Sequence, residues 1–144
     1  MPDDAPAEVT VALDGEVGCI ADARSRASEL LARVQSKHGL PVSARTTGLT
    51  QLVVSELVTN ALKYALGPVL LQLRVTGGSV EIAVWDTEAT LPAARTTDAG
   101  RVGQHGLEIV MAVVDGFAAQ REPVGKRITA RLALFDHPLL GLDG

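Results

Sequence analysis

The sequence predicts a two-layer α+β sandwich, and three observations carry that expectation. The segments VLLQLRV, VEIAVWD and RITARLAL, at residues 69–75, 80–86 and 127–134, alternate apolar with other side chains. That is the spacing of strands covered on one face only. Residues 18–38 and 43–65 instead repeat apolar positions every three or four residues, which is helical spacing. A third helical pattern falls near residues 106–115. Three helices laid on one face of a mixed, mostly antiparallel sheet bury all of these apolar rows together.

Taken in order, residues 1–8 read as a loose acidic tail and Val9–Leu13 as a short strand. In the first helix Ile20, Ala27, Leu30, Leu31 and Val34 form the apolar stripe, and HGLP at 38–41 stops it with a Gly and then a Pro. Ser43 suits the N-cap of the second helix, which runs to about Ala65 and ends at Gly67-Pro68. Gly77-Gly78 marks a tight hairpin between the first two of the three strong strands. Residues 87–105, TEATLPAARTTDAGRVGQH, are small and polar with Pro and Gly interruptions. A loop this long reads either as a functional lid or as a plain insertion. Residues 136–144 read as a second loose tail, so that 1–144 is one domain.

The composition narrows the function. A chain of 144 residues, 47% apolar and 21% charged, suits one globular domain with a real core. Aromatics are only 3%, so Leu, Val and Ala must fill it. A net charge of −4 argues against nucleic acid or an anionic membrane surface as the main partner. A single cysteine, Cys19, excludes an intramolecular disulfide framework and a Cys-rich zinc site. The acidic start MPDDAPAEVT is no signal peptide and no apolar run approaches a membrane span. A reducing cytoplasm is the expected location.

The most informative segment is VVSELVTNALKYA, residues 53–65. On a helix, Leu49, Leu52, Val53, Glu56, Asn60 and Lys63 fall in one narrow stripe, while Val54, Leu57, Val58, Ala61 and Leu62 occupy the other sides. A buried carboxylate without compensation costs several kcal/mol. One resolution is a polar network at the wet edge of the helix, since pairs at this spacing stabilise helices. The other is a pocket wall: Glu56 to accept a proton, the Asn60 amide oxygen to ligate a hard cation, and Lys63 to meet a phosphate.

Two further segments bear on that choice. In GQHGLEIVMAVVDG, Gly103 and Gly106 bracket the start of the third helical pattern. Glycines there let backbone N–H groups face an anion, although the same pattern also serves ordinary turns. Asp86 ends an apolar strand and opens the long loop. Its carboxylate suits either the exocyclic amine of an adenine or a turn cap.

In sequence, ELVTNALKYA, VWDTEATLP, GQHGLEIV and GKRITARL resemble the GHKL ATPase family, which has the Bergerat ATP-binding fold. The resemblance extends from the first strand to about Leu134 and is nearest to the small, stand-alone anti-sigma-factor serine/threonine kinases. It implies Mg²⁺ and ATP as cofactors. Glu56 would be the general base and Asn60 the Mg²⁺ ligand. Lys63 would lie near the phosphates and Asp86 would accept from the adenine amine. Gly103 and Gly106 would shape the lid hinge and phosphate contact, and Leu107 and Gly125 would be further ATP-binding residues. The implied partners are a sigma factor and an anti-sigma-factor antagonist, and relatives of this group are commonly dimeric. The chain departs from the family at the adenine end: Glu88 and Thr90 stand where glycines are usual, and Arg127 follows Gly125-Lys126 where a Thr is usual.

Other residues offer less. His38, His105 and His137 lack helical metal spacing. Ser55 and Thr59 suggest no Ser–His–Asp arrangement. Cys19 has no activating neighbour, and Trp85 reads as packing at a strand end. None of the histidines lies on a helix with an acid following it, as a phosphoaccepting histidine of a sensor kinase requires. The alternative to a kinase is a degenerate Bergerat-fold module that acts only by binding a partner.

Overall fold

The computed structural model describes residues 7–64, 68–86, 101–123 and 125–134, with backbone alone for Tyr64 and for residues 101–105. Glu88, Thr90, His137 and the His105 side chain, singled out above, lie outside that set.

Among the described residues eight elements follow one another: β1 (Ala7–Leu13), α1 (Cys19–His38), α2 (Ala44–Tyr64), β2 (Val69–Thr76), β3 (Ser79–Asp86), α3 (Arg101–Val113), β4 (Gly116–Arg121) and β5 (Lys126–Ala133). The five strands form one sheet in the order β1-β2-β3-β5-β4, and every neighbouring pair is antiparallel. The expected α+β sandwich is therefore present. The short edge strand β4, GFAAQR, carries no clean apolar alternation and is an addition to the sequence reading.

Strand alternation fixes which face is covered. Val80, Ile82 and Val84 on β3 are buried, and their cross-strand partners on β5 are Leu132, Ala130 and Ile128. On β2 the buried set is Val69, Leu71, Leu73 and Val75. These rows meet Ala23, Ala27, Leu30, Leu31 and Val34 of α1, and Val53, Val54, Leu57, Val58 and Ala61 of α2, in one core. The hairpin joining β2 to β3 turns at Gly77 and Gly78, with φ of +56° and +91°. Left-handed backbone at both central residues is what a tight two-residue turn needs.

The ends of α1 and α2 follow from their sequences. Gly39 closes α1 at φ +67°, the left-handed cap that glycine takes without strain. Ser43 Oγ accepts from Thr46 N at 3.0 Å, satisfying one of the free donors of the first turn of α2. Arg24 donates to Ser55 Oγ and Gln51 to Ser28 Oγ. Contacts that pair 24 with 55 and 28 with 51 make the two helices antiparallel.

Candidate functional site

The start of α2 is anchored at one end of the sheet. Ser43 N donates to Leu134 O at 3.1 Å, and Thr46 Oγ1 donates to Ala133 O at 3.0 Å. Ala133 is opposite Ser79, the first residue of β3. A helix of 21 residues extends about 30 Å at 1.5 Å per residue, and a strand of 8 residues extends about 27 Å. The last turns of α2 therefore reach the opposite end of β3, where Asp86 lies. A second contact agrees: a Cβ at Gly15, just past β1, would lie 3.8 Å from Leu62 Cδ2 near the end of α2, and Leu13 pairs with Val69 at that same sheet end.

Glu56, Asn60 and Lys63 lie along these last turns, with different exposures. Asn60 is 6% exposed, Glu56 is half-buried and Lys63 is exposed. The stripe thus runs from the interior to solvent, and a ligand on it would meet an amide and a carboxylate inside and an ammonium outside.

Gly106 meets this stripe from α3. The sequence places Gly103 and Gly106 at a helix start, but α3 begins at Arg101 and contains both. The reason for a glycine at 106 is a close approach. A Cβ there would overlap Glu56 Oε1 and stand 3.3 Å from Glu56 Cδ. Gly106 is itself buried, and Leu107 and Val110 beyond it are 5% and 0% exposed and enter the core. The apolar face of α3 thereby seats it on the sandwich, with its second turn against the Glu56 carboxyl.

The strand end adds a pair that the sequence reading missed. Asp86 is directly opposite Lys126 in the β3–β5 register, and both continue the helix-covered rows of those strands. Lys126 Nζ donates to Asp86 Oδ1 at 3.1 Å and lies 3.1 Å from Oδ2, with side chains 2% and 1% exposed. The ammonium bridges both carboxylate oxygens, in hydrogen-bond geometry with Oδ1 and through charge with Oδ2. Gly125, buried and at φ +80°, is the turn residue just before it. The signal for Lys126 was present in the strand period: Ile128, Ala130 and Leu132 point inward, so Lys126 does too.

Arg127 instead lies on the opposite, open face of the sheet. Its guanidinium sits 5.6 Å from the ring centroid of its cross-strand partner Trp85, and its Nε donates to Gln120 Oε1 at 3.2 Å. The residue at this strand end that faces the helix-covered side is therefore Lys126, one residue before the Arg127 singled out by sequence. Cys19 is half-buried at the start of α1. Among the described residues, no group of three or more His, Cys, Asp or Glu is placed to hold a metal ion, and no helix is long and apolar enough to cross a membrane.

Comparison with known proteins gives a family and a fold. A family profile described as a histidine kinase-like ATPase domain matches residues 20–132. Among solved structures, the RsbU and RsbW domains of Rv1364c from Mycobacterium tuberculosis superpose with a TM-score of 0.65 at 20% identity, over 88% of this chain and 32% of that one. A histidine kinase domain from the Erythrobacter litoralis EL346 blue-light activated histidine kinase gives a TM-score of 0.49 at 18% identity, over 78% of this chain and 61% of that one. The chain thus spans about a third and three fifths of these two proteins. No curated protein matches it.

Proposed function

The chain belongs to the histidine kinase-like ATPase domain family, and from that premise we propose that it is an ATP-binding, anti-sigma-factor type protein kinase. It would hold a sigma factor and phosphorylate an anti-sigma-factor antagonist on Ser or Thr. The family membership supports the ATPase part of this reading. The resemblance of ELVTNALKYA and its companion segments to stand-alone anti-sigma kinases supports the rest.

The observation that carries the reading is the Glu56–Asn60–Lys63 stripe, which opens to solvent at the sheet end that also holds Asp86. The phosphate end fits a magnesium nucleotide. Mg²⁺ keeps several waters and takes few ligands from protein, so one amide oxygen from Asn60 beside phosphate oxygens is a sufficient protein share. When bound, the nucleotide supplies the phosphoryl group. Glu56 then accepts the proton of the attacking hydroxyl and Lys63 offsets phosphate charge. Gly106 leaves room for the Glu56 carboxyl on the α3 side. The base end fits less well, because Lys126 already engages Asp86.

Calorimetric titration tests the reading: ATP and ADP, with and without Mg²⁺, against wild type and Asn60→Ala. Magnesium-dependent ATP binding, weakened by Asn60→Ala, is expected. The buried Asp86–Lys126 pair also favours a second reading, in which the fold binds a partner without chemistry. No binding at millimolar nucleotide, with a partner still held by a Glu56→Ala, Asn60→Ala double variant, selects that reading.

A further inference from the structure

We propose that β1 is an interface with a second copy of this chain. Two β1 strands pair antiparallel about a twofold axis at Thr10 and join two sheets edge to edge. The proposal does not rest on the nucleotide-pocket reading, so the failure of either leaves the other standing.

β1 opens the strand order β1-β2-β3-β5-β4, so among the described residues it has a strand on one side only. A free edge presents backbone N–H and C=O groups to a further strand, and folds usually guard it with proline, a bulge or a charge. β1, AEVTVAL, holds no proline. Its pairing with β2 runs without a bulge from Ala7↔Val75 to Leu13↔Val69. Its one charge, Glu8, turns towards β2, where Oε2 lies 3.7 Å from Arg74 Nε.

The core also stops short at β1. In the helix-covered rows, Leu71, Leu73 and Val75 of β2 are 0%, 0% and 4% exposed. Their partners on β1 are Val11, Val9 and Ala7, which pack on the same core but are only half-buried. A strand added beside β1 covers these side chains, and removing apolar surface from water favours it.

The sequence of β1 selects a copy of itself as that strand. If the helix layers of both copies lie on the same side of the joined sheet, the twofold must pass through a residue, because only then do side chains of one face meet. Thr10 is the middle of the seven residues, so that centre alone pairs the whole strand. It sets Val9 opposite Val11, Ala7 opposite Leu13 and Glu8 opposite Ala12 of the second copy. Apolar side chains then meet on the covered face and no carboxylate faces another. A centre at Glu8 instead sets two carboxylates opposite each other, and like charges placed so are destabilising.

Sedimentation velocity over a wide range of protein concentration reads the association, because one strand edge is at the small end of specific interfaces. Wild type should pass from one chain to two as concentration rises. Thr10 is exposed on the open face, so Thr10→Lys should keep the urea midpoint while placing two ammonium groups opposite each other. It should weaken the dimer about fivefold or more. A single chain at every concentration overturns the proposal, as does a dimer that Thr10→Lys leaves as tight as wild type.

Cysteine cross-linking with copper–phenanthroline as oxidant, in a Cys19→Ser background, covers a Thr10→Lys variant that fails to fold. Directly opposite Cα atoms lie about 4.5–5.5 Å apart, within the range of about 4.4–6.8 Å that a disulfide spans. Thr10→Cys should therefore link to its own copy. Glu8→Cys should not, since about 14 Å of strand separates the two positions, but a mixture of Glu8→Cys and Ala12→Cys should link. No link by Thr10→Cys, or self-linking of Glu8→Cys as ready as that of Thr10→Cys, overturns the proposal.

Discussion

Gly106 lies against the carboxyl of Glu56: a Cβ at position 106 would overlap Oε1 and stand 3.3 Å from Cδ. The atom in the way is the far end of a flexible side chain, so Gly106→Ala should turn Glu56 aside and leave the backbone alone. Alanine in a helix interior is favoured over glycine by about 0.5–1 kcal/mol. That gain offsets the rotamer change, and the urea midpoint should move little. If Glu56 is the general base, its displacement should lower phosphoryl transfer by about 10²–10⁴-fold. Unchanged transfer by a folded Gly106→Ala protein would separate Glu56 from the chemistry.

Asn60 separates metal binding from stability. Its side chain is 6% exposed at the inner part of the stripe, so Asn60→Ala removes a largely buried amide at a cost of about 1 kcal/mol. Its effect on magnesium-dependent ATP affinity should be larger, about tenfold or more, since lost outer-shell partners alone act on that scale. Titrations with and without Mg²⁺ read this directly. An equal loss in both conditions would make Asn60 a general packing residue.

The helices and three main strands were legible because their periods are strong and their stops are chemical: Gly39, the Ser43 cap and the Gly77-Gly78 turn. Strand β4 was not, because GFAAQR is an edge segment without apolar alternation. The start of α3 was misplaced because Gly103 and Gly106 read locally as helix flanks, whereas Gly106 answers to Glu56, 50 positions earlier in the chain. Lys126 was hidden differently. Aligning GKRITARL to a familiar Gly-Lys-Thr order pointed at Arg127, while the period of two in the following strand assigns the inward position to Lys126. Contacts between segments remote in sequence decide such places, and no local propensity records them.

The junction between α2 and the sheet should be measurable through Ser43. Ser43 Oγ accepts from Thr46 N and donates to Thr46 Oγ1, each at 3.0 Å, and Thr46 Oγ1 in turn donates to Ala133 O. Ser43→Ala should cost about 1 kcal/mol, the usual value of an N-cap. Thr46→Val, which strips the link to β5 and leaves Ala133 O without that donor, should cost about 1–3 kcal/mol. Urea unfolding of both variants checks the order, and a Ser43→Ala loss exceeding that of Thr46→Val would contradict it.

The Asp86–Lys126 pair makes the sharpest energetic prediction. Lys126→Met leaves a carboxylate 1% exposed without its cation, and breaking a buried pair from one side costs about 3–5 kcal/mol. Asp86→Asn should be similarly costly, because it leaves a buried ammonium facing an amide. Together the two substitutions remove both charges and leave only a buried amide to satisfy, so the double variant should lose clearly less than the sum of the two single losses. The coupling should survive 1 M NaCl, because a pair excluded from solvent is little screened. Single-variant losses that simply add in the double would mean that the two groups do not interact as charges. Recovery in the double variant would mean that the pair adds no net stability to the fold.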